Sequence, residues 1–187
     1  INAIIKQRSI KQKEEIDEIK SALKITNLIH QKSMTASKPG KYEYEIVAEM
    51  ESIIKSHNVN LAYPIIFTVN GQILHNSIYN NKISDGDLLL NDSGANSALN
   101  YASDITRTFP ANGKFSTQQK EIYLIVKEMQ ETVIKQLKPG VSFKEMHKLS
   151  AYIGIKRLKE IGLLKGSCDE ALAKGVYGLF YPHGLGH

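Results

Sequence analysis

Cysteine and long apolar runs are scarce in this sequence, and each scarcity excludes a class of protein. Among 187 residues there is one cysteine, Cys168. A single cysteine excludes an internal disulfide and a cysteine-rich zinc site, so we expect a reducing, cytoplasmic setting. Apolar stretches are short, such as the three leucines at 88–90. We therefore expect no membrane-spanning helix, and the charged sequence that follows residues 1–5 predicts no signal peptide.

A large excess of charge of one sign is also missing. The chain has 24 Lys and Arg against 19 Asp and Glu, a formal net charge of +5. Its lysines are spread along helical patterns, as on solvated helix faces, so neither nucleic acid nor a membrane is expected as a partner. With 42% hydrophobic and 23% charged residues, the composition is that of a folded protein, and one domain spanning 1–187 is expected.

The two halves of the sequence repeat one arrangement of elements. The tripeptide Lys-Pro-Gly at 38–40 recurs at 138–140. Amphipathic helical patterns precede and follow each copy, and each half then reaches a Tyr-Pro step, at 63–64 and at 181–182. The shared order of helix, turn, helix and Tyr-Pro favours an internal duplication.

Strand patterns follow the first Tyr-Pro step. We predict a strand at 65–69, a hairpin turn at the Asn-Gly pair 70–71, a buried strand at 88–91 and an alternating strand at 101–109. The fold class is therefore α+β, with duplicated halves of two helices and an antiparallel sheet, of which the second half is incomplete.

The duplication also predicts where each half begins and ends. The first half-repeat is expected at 1–109 and the second at 110–187. Only five residues follow Pro182. If the halves are equivalent, the second half lacks the strands that the first half carries after its own Tyr-Pro step.

Two aspartates follow strand patterns in the first half. Asp92 ends the apolar run that begins at Leu88, and Asp104 lies twelve residues on, in the alternating segment. The turn-rich connection at 94–100 allows two antiparallel strands to bring both carboxylates together, where they repel unless a cation or proton lies between them. The alternative is that Asp92 caps a turn and Asp104 pairs with Arg107 at the surface.

Histidines supply the second group of candidates. The C-terminal run PHGLGH places His183 and His187 in a glycine-rich backbone. Imidazoles and carboxylates together are common ligands of Zn, Mn, Co and Fe. His75 follows the expected hairpin turn, and we expect it to face the same cleft. The remaining histidines have charged neighbours in helical patterns and are interpreted as surface residues: His30, His57 and His147.

These motifs together resemble a known family. The runs DSG at 92–94, YASDITRTFP at 101–110, HGLGH at 183–187 and ILH at 73–75 are similar to the signature of the pita-bread metallopeptidases. More narrowly, they resemble aminopeptidase P and prolidase. The resemblance extends over 10–187 and implies a pita-bread fold, which is itself built from duplicated halves.

The resemblance also implies a role for each candidate residue. It implies Asp92 and Asp104 as metal ligands, with Asp104 bridging two divalent ions, and His187 as the imidazole ligand. It implies His75 and His183 as catalytic histidines near the substrate or a transferred proton. Ligation by several carboxylates and one imidazole suits Mn best, with Co or Zn possible.

The family pattern departs from this sequence at both ends. Family members complete the metal site with two glutamates beyond the histidine segment, and aminopeptidase P and prolidase carry a separate creatinase-like N-terminal domain. We therefore expect residues 1–187 to be a truncated catalytic domain that is inactive by itself.

The activity that the resemblance implies is hydrolysis on the N-terminal side of proline in a proline-containing peptide, by water activated between two metal ions. Three alternatives stay open: a prolidase-type dipeptidase, a non-catalytic pseudo-peptidase that acts as a binding module, and a metal-free member of the creatine-hydrolysing branch. Asp92, Asp104 and His187 argue against the last two. A homo-oligomer, such as a dimer, is compatible with the resemblance.

Overall fold

The computed structural model describes residues 1–186 and contains helices and a small antiparallel sheet, which confirms the predicted α+β class. Its elements are α1 (Asn2–Ser9), α2 (Lys13–Ala36), α3 (Glu43–Ser56), β1 (Ile66–Thr68), β2 (Leu88–Ser93), β3 (Ile105–Pro110), α4 (Thr117–Gln136), α5 (Phe143–Glu160), α6 (Cys168–Ala173) and a 3₁₀ turn (Val176–Leu179). The chain divides into two compact units, Ile1–Phe115 and Ser116–His187. Within residues 1–186, none of the helices has the length and apolar character needed to cross a bilayer.

Helices α2 and α3 form one layer of the first unit. Each begins with a capping box, in which the Glu15 carboxylate accepts from Gln12 N and the Glu45 carboxylate accepts from Tyr42 N, both at 2.7 Å. The turn between them needs Gly40, whose φ of 97° lies in the left-handed region.

The sheet of the first unit has the order β1-β2-β3, with both neighbouring pairs antiparallel. Along β2, buried residues alternate with half-buried ones, the pattern of a strand with one face against a core. That core contains Phe67 and Leu89 from the sheet and Ile29, Ile46 and Met50 from the helices, each fully buried. Burial of this apolar surface holds the sheet against α2 and α3.

Two strand predictions were wrong in detail. The Asn-Gly pair at 70–71 does not close a hairpin, because β1 pairs with β2 and the chain between them is a long loop. The strand predicted at 101–109 begins only at Ile105, and Ala102 makes a single bridge with Asn96. Asp104 therefore lies one residue before β3.

The second unit consists of helices over its described residues. Ser116 and Ser142 cap α4 and α5, each accepting from the backbone N–H three residues on. The connecting Gly140 has a φ of 93°, close to that of Gly40 in the first unit. Within residues 116–186, no strand follows Tyr181.

Candidate active site

The β2–β3 hairpin presents the two candidate aspartates. Asp92 lies opposite Thr106 in the antiparallel register, on the half-buried face of β2. Asp104 is two residues before Thr106 and is exposed. The predicted closeness of the two carboxylates is confirmed, because both contact the same hydroxyl group.

That hydroxyl belongs to Tyr63, which the sequence marked as part of the first Tyr-Pro step but not as a site residue. Tyr63 Oη lies 2.6 Å from Asp92 Oδ1 and 2.8 Å from Asp104 Oδ1 and donates its proton to the pair. Burial first, and then the two carboxylates, raise the pKa of Tyr63 well above its usual value, so the phenol stays protonated. One proton is thus shared between two acidic groups.

A glycine sets the distance between the two limbs of the hairpin. A Cβ at Gly94 would lie 1.8 Å from the Ser103 carbonyl oxygen and 3.3 Å from the Asp104 Cα. Only a residue without a side chain permits this approach of the backbones. Gly94 therefore allows the Asp104 segment to lie directly beside the end of β2.

The opposite face of β2 carries buried polar residues. Asn91 and Ser93 contact His30 of α2, which is only 5% exposed. The interpretation of His30 as a surface residue was wrong: the helix turns it towards the sheet, while its sequence neighbour Gln31 is exposed. Burial lowers the pKa of His30, so its imidazole is kept neutral.

His75 lies in the long loop between β1 and β2. It is exposed, and its φ of 58° places a non-glycine residue in the left-handed region. It lines a surface depression together with Thr68 of β1, Asn70 and other residues of its own loop. The aspartates are not part of that lining within the described chain.

A buried carboxylate anchors both ends of the His75 loop. Glu43, fully buried at the first position of α3, accepts from Val69 N at 2.8 Å and from the Asn81 side-chain amide at 3.0 and 3.1 Å. In return, Glu43 N donates to Asn81 O at 3.0 Å. Glu43 therefore holds the loop at both ends, at Val69 just after β1 and at Asn81 beside the start of α3.

The histidine segment belongs to the second unit. His183 is exposed, its Nδ1 lies 2.9 Å from Gly184 O, and its ring meets Tyr181 edge-on at 5.1 Å. His187 lies outside the described residues. His147 was interpreted as a surface residue, but it is half-buried and packs against Tyr177 and Tyr181 at 5.6 and 5.2 Å between ring centroids.

The aspartate pair is chemically suited to a divalent cation. Hard divalent cations prefer carboxylate oxygens as ligands, and two carboxylates meet here at one hydroxyl group. Over residues 1–186, no group of three or more His, Cys, Asp or Glu side chains is arranged to hold a metal ion. Asp92 and Asp104 alone can supply two of the ligands of a metal site.

Comparison with known proteins identifies the family of this chain as a family of metallopeptidases. A model of metallopeptidase family M24 matches residues 17–187. This chain belongs to metallopeptidase family M24. It is 38% identical over 185 residues to the Xaa-Pro aminopeptidase of Escherichia coli, covering 96% of this chain and 41% of that protein. It is 40% identical over 183 residues to the Xaa-Pro aminopeptidase of Haemophilus influenzae, covering 96% of this chain and 42% of that protein.

Solved structures show the same fold. Zn-substituted Escherichia coli aminopeptidase P in complex with product matches with a TM-score of 0.89 and 38% identity, covering 94% of this chain and 40% of that one. The same enzyme with the inhibitor Pro-Leu matches with the same TM-score, identity and coverage. The predicted pita-bread fold is therefore confirmed. The chain spans 40–42% of the length of these relatives.

Proposed function

We propose that the full-length gene product is an Xaa-Pro aminopeptidase, which removes the N-terminal residue from peptides that have proline in second place. The observation that carries the proposal is the pair of carboxylates on one tyrosine hydroxyl, in a chain 38% identical to an Xaa-Pro aminopeptidase. A cytoplasmic location and a homodimer belong to the same proposal.

Asp92, Asp104 and His187 would be the residues of this chain that hold two divalent ions. Mn²⁺ suits a site dominated by carboxylate oxygens with one imidazole, and Co²⁺ or Zn²⁺ is compatible with it. When bound, such ions polarise the scissile carbonyl and lower the pKa of a water into the neutral range.

The chain's own side chains have separate tasks in this proposal. The Asp92 and Asp104 carboxylates carry the negative charge of the site, and Tyr63 fixes their orientation by donating to both. His75 supplies a proton donor for the oxygen on which charge develops, from a loop held at both ends by Glu43. His183 contacts the substrate, since its ring is exposed and accessible.

A peptide assay tests the proposal. The purified gene product is stripped with a chelator, reloaded with Mn²⁺ and given an Xaa-Pro-Xaa tripeptide, the Xaa-Pro dipeptide and an Xaa-Ala-Xaa tripeptide. We expect metal-dependent release of the first residue from the proline tripeptide alone. Asp104→Asn should abolish turnover, while Asp17→Asn, an exposed aspartate of α2, should not change it.

Two results would contradict the proposal. Turnover of the dipeptide in preference to the tripeptide would indicate a prolidase. Binding of Mn²⁺ without hydrolysis of any of the three peptides would indicate a non-catalytic member of the family.

A further inference from the structure

A layer of buried polar side chains lies between α2 and the hairpin that carries the aspartates. It has six members, all of them buried: Thr26, His30, Ser33, Asn91, Ser93 and Ser103. Buried polar groups are costly unless they are hydrogen-bonded, so a layer of six in one place needs an explanation. We call it the polar layer.

One part of the polar layer is a closed ring of hydrogen bonds. Ala95 N donates to Thr26 Oγ1 at 2.9 Å, and Ser103 Oγ donates to Ala95 O at 2.8 Å. Because the Ser103 proton is used in that bond, the 2.6 Å contact between the two hydroxyls is a donation from Thr26 to Ser103. The ring joins both limbs of the hairpin to one residue of α2.

The other part is centred on His30. Asn91 Nδ2 lies 3.3 Å from His30 Nδ1 and donates to Ser33 Oγ at 2.9 Å. With Nδ1 as an acceptor, the neutral ring carries its proton on Nε2, which lies 3.3 Å from Ser93 O. Ser93 Oγ closes the set by donating to Asn91 Oδ1 at 2.9 Å.

The contacted residues are the immediate neighbours of the two aspartates. Asn91 and Ser93 flank Asp92, and Ser103 precedes Asp104. Successive side chains of a strand point to opposite faces, so fixing Asn91 and Ser93 from behind fixes the direction of Asp92 in front. The ring at Ser103 does the same for the backbone that leads into Asp104.

We propose that the polar layer positions the Asp92 and Asp104 carboxylates and thereby sets the affinity of the pair for a divalent cation. The inference rests on the proposed metal site. Groups that orient metal ligands, without touching the metal, typically change metal affinity by about 10–100-fold when they are removed. Thr26 is the most informative member, because it contacts the hairpin limbs that follow Asp92 and precede Asp104.

The experiment compares Mn²⁺ affinity with thermal stability in the full-length gene product. Thr26→Val keeps the shape of the side chain and removes the hydroxyl, and Thr26→Ser keeps the hydroxyl. Ile54→Val serves as a matched control, because it removes one buried methyl group from α3, away from the polar layer. Mn²⁺ dissociation constants come from calorimetry, and melting temperatures are recorded without metal.

We expect Thr26→Val to weaken Mn²⁺ binding about 10-fold or more and Thr26→Ser to restore it. Ile54→Val should lower the melting temperature and leave Mn²⁺ affinity unchanged. If Thr26→Val does not fold, Ser103→Ala, which removes one hydroxyl of the same ring, carries the same expectation.

The outcomes separate the inference from the function on which it rests. If Asp92→Asn weakens Mn²⁺ binding while Thr26→Val only lowers the melting temperature, the polar layer is structural and the inference is wrong. If Asp92→Asn does not weaken Mn²⁺ binding, the proposed metal site is wrong and the inference fails with it.

Discussion

The α-carbon of Gly94 faces the carbonyl of Ser103 so closely that a Cβ at Gly94 would lie 1.8 Å from that oxygen. This contact joins the strand segment that contains Asp92 to the segment that contains Asp104. We expect Gly94→Ala to push the two segments apart, because the new Cβ would clash with backbone atoms and not with a flexible side chain that could move aside.

The cost of Gly94→Ala should be about 1–3 kcal/mol in the free energy of unfolding, together with weaker Mn²⁺ binding. Chemical denaturation with and without Mn²⁺ measures both effects. Gly178→Ala is the matched control, because a Cβ there would meet nothing within 4 Å. Equal stability of the Gly94→Ala and Gly178→Ala proteins would contradict the role assigned to the Gly94–Ser103 contact.

The sequence predicted the aspartate pair because its signal is local. An apolar strand that ends at Asp92, a turn-rich connection and a second strand are enough to place Asp104 beside it. Tyr63 escaped prediction because it reaches the pair across 29 and 41 residues, and no short-range pattern encodes such a contact.

The polar layer and the His75 loop escaped prediction for a related reason. His30, Thr26 and Ser33 occupy the buried face of α2, but polar residues at helical spacing look like a solvated face in the sequence. The Asn-Gly pair at 70–71 is a strong local hairpin signal. It was overridden because the backbone on either side of the loop bonds to Glu43.

Tyr63→Phe should weaken Mn²⁺ binding about 10-fold or more with little loss of packing, because only the hydroxyl that orients the two carboxylates is removed. Calorimetric titration with Mn²⁺ measures the effect. Tyr101→Phe is a chemically matched control, since the Tyr101 hydroxyl also donates to a carboxylate, that of Glu15 at 3.0 Å. A Tyr63→Phe protein with the affinity of the Tyr101→Phe protein would show that Tyr63 does not orient the pair.

Glu43→Gln should loosen the loop at residues 69–81, because Glu43 is bonded to both ends of it. The substitution places an amide NH₂ against N–H donors from Val69 and Asn81, so at least one buried bond is lost, at about 1–3 kcal/mol. Hydrogen exchange of residues 69–81 should become faster. Glu51→Gln, an exposed change on the same helix, should leave exchange there unchanged. Unchanged protection of the loop in Glu43→Gln would refute the anchoring role.

His75→Ala tests the proposed proton donor in the full-length gene product. We expect kcat on an Xaa-Pro-Xaa peptide to fall by roughly 10²–10⁴-fold, while bound metal changes little because His75 is not assigned as a ligand. Steady-state kinetics and metal analysis of the same preparation measure both quantities. The control is His57→Ala, which alters an exposed histidine at the end of α3. Loss of metal together with activity would make His75 a ligand or a structural residue instead.

The most direct measurement is the location of Mn²⁺ in crystals of the full-length gene product, from anomalous scattering at the manganese absorption edge. We expect anomalous peaks at the Asp92 and Asp104 carboxylates, on the side of the hairpin where Tyr63 meets them. Crystals of Asp104→Asn grown in the same Mn²⁺ concentration should lose those peaks. Manganese bound elsewhere in the protein, with none at this pair, would contradict the assignment of Asp92 and Asp104 as the metal-binding carboxylates.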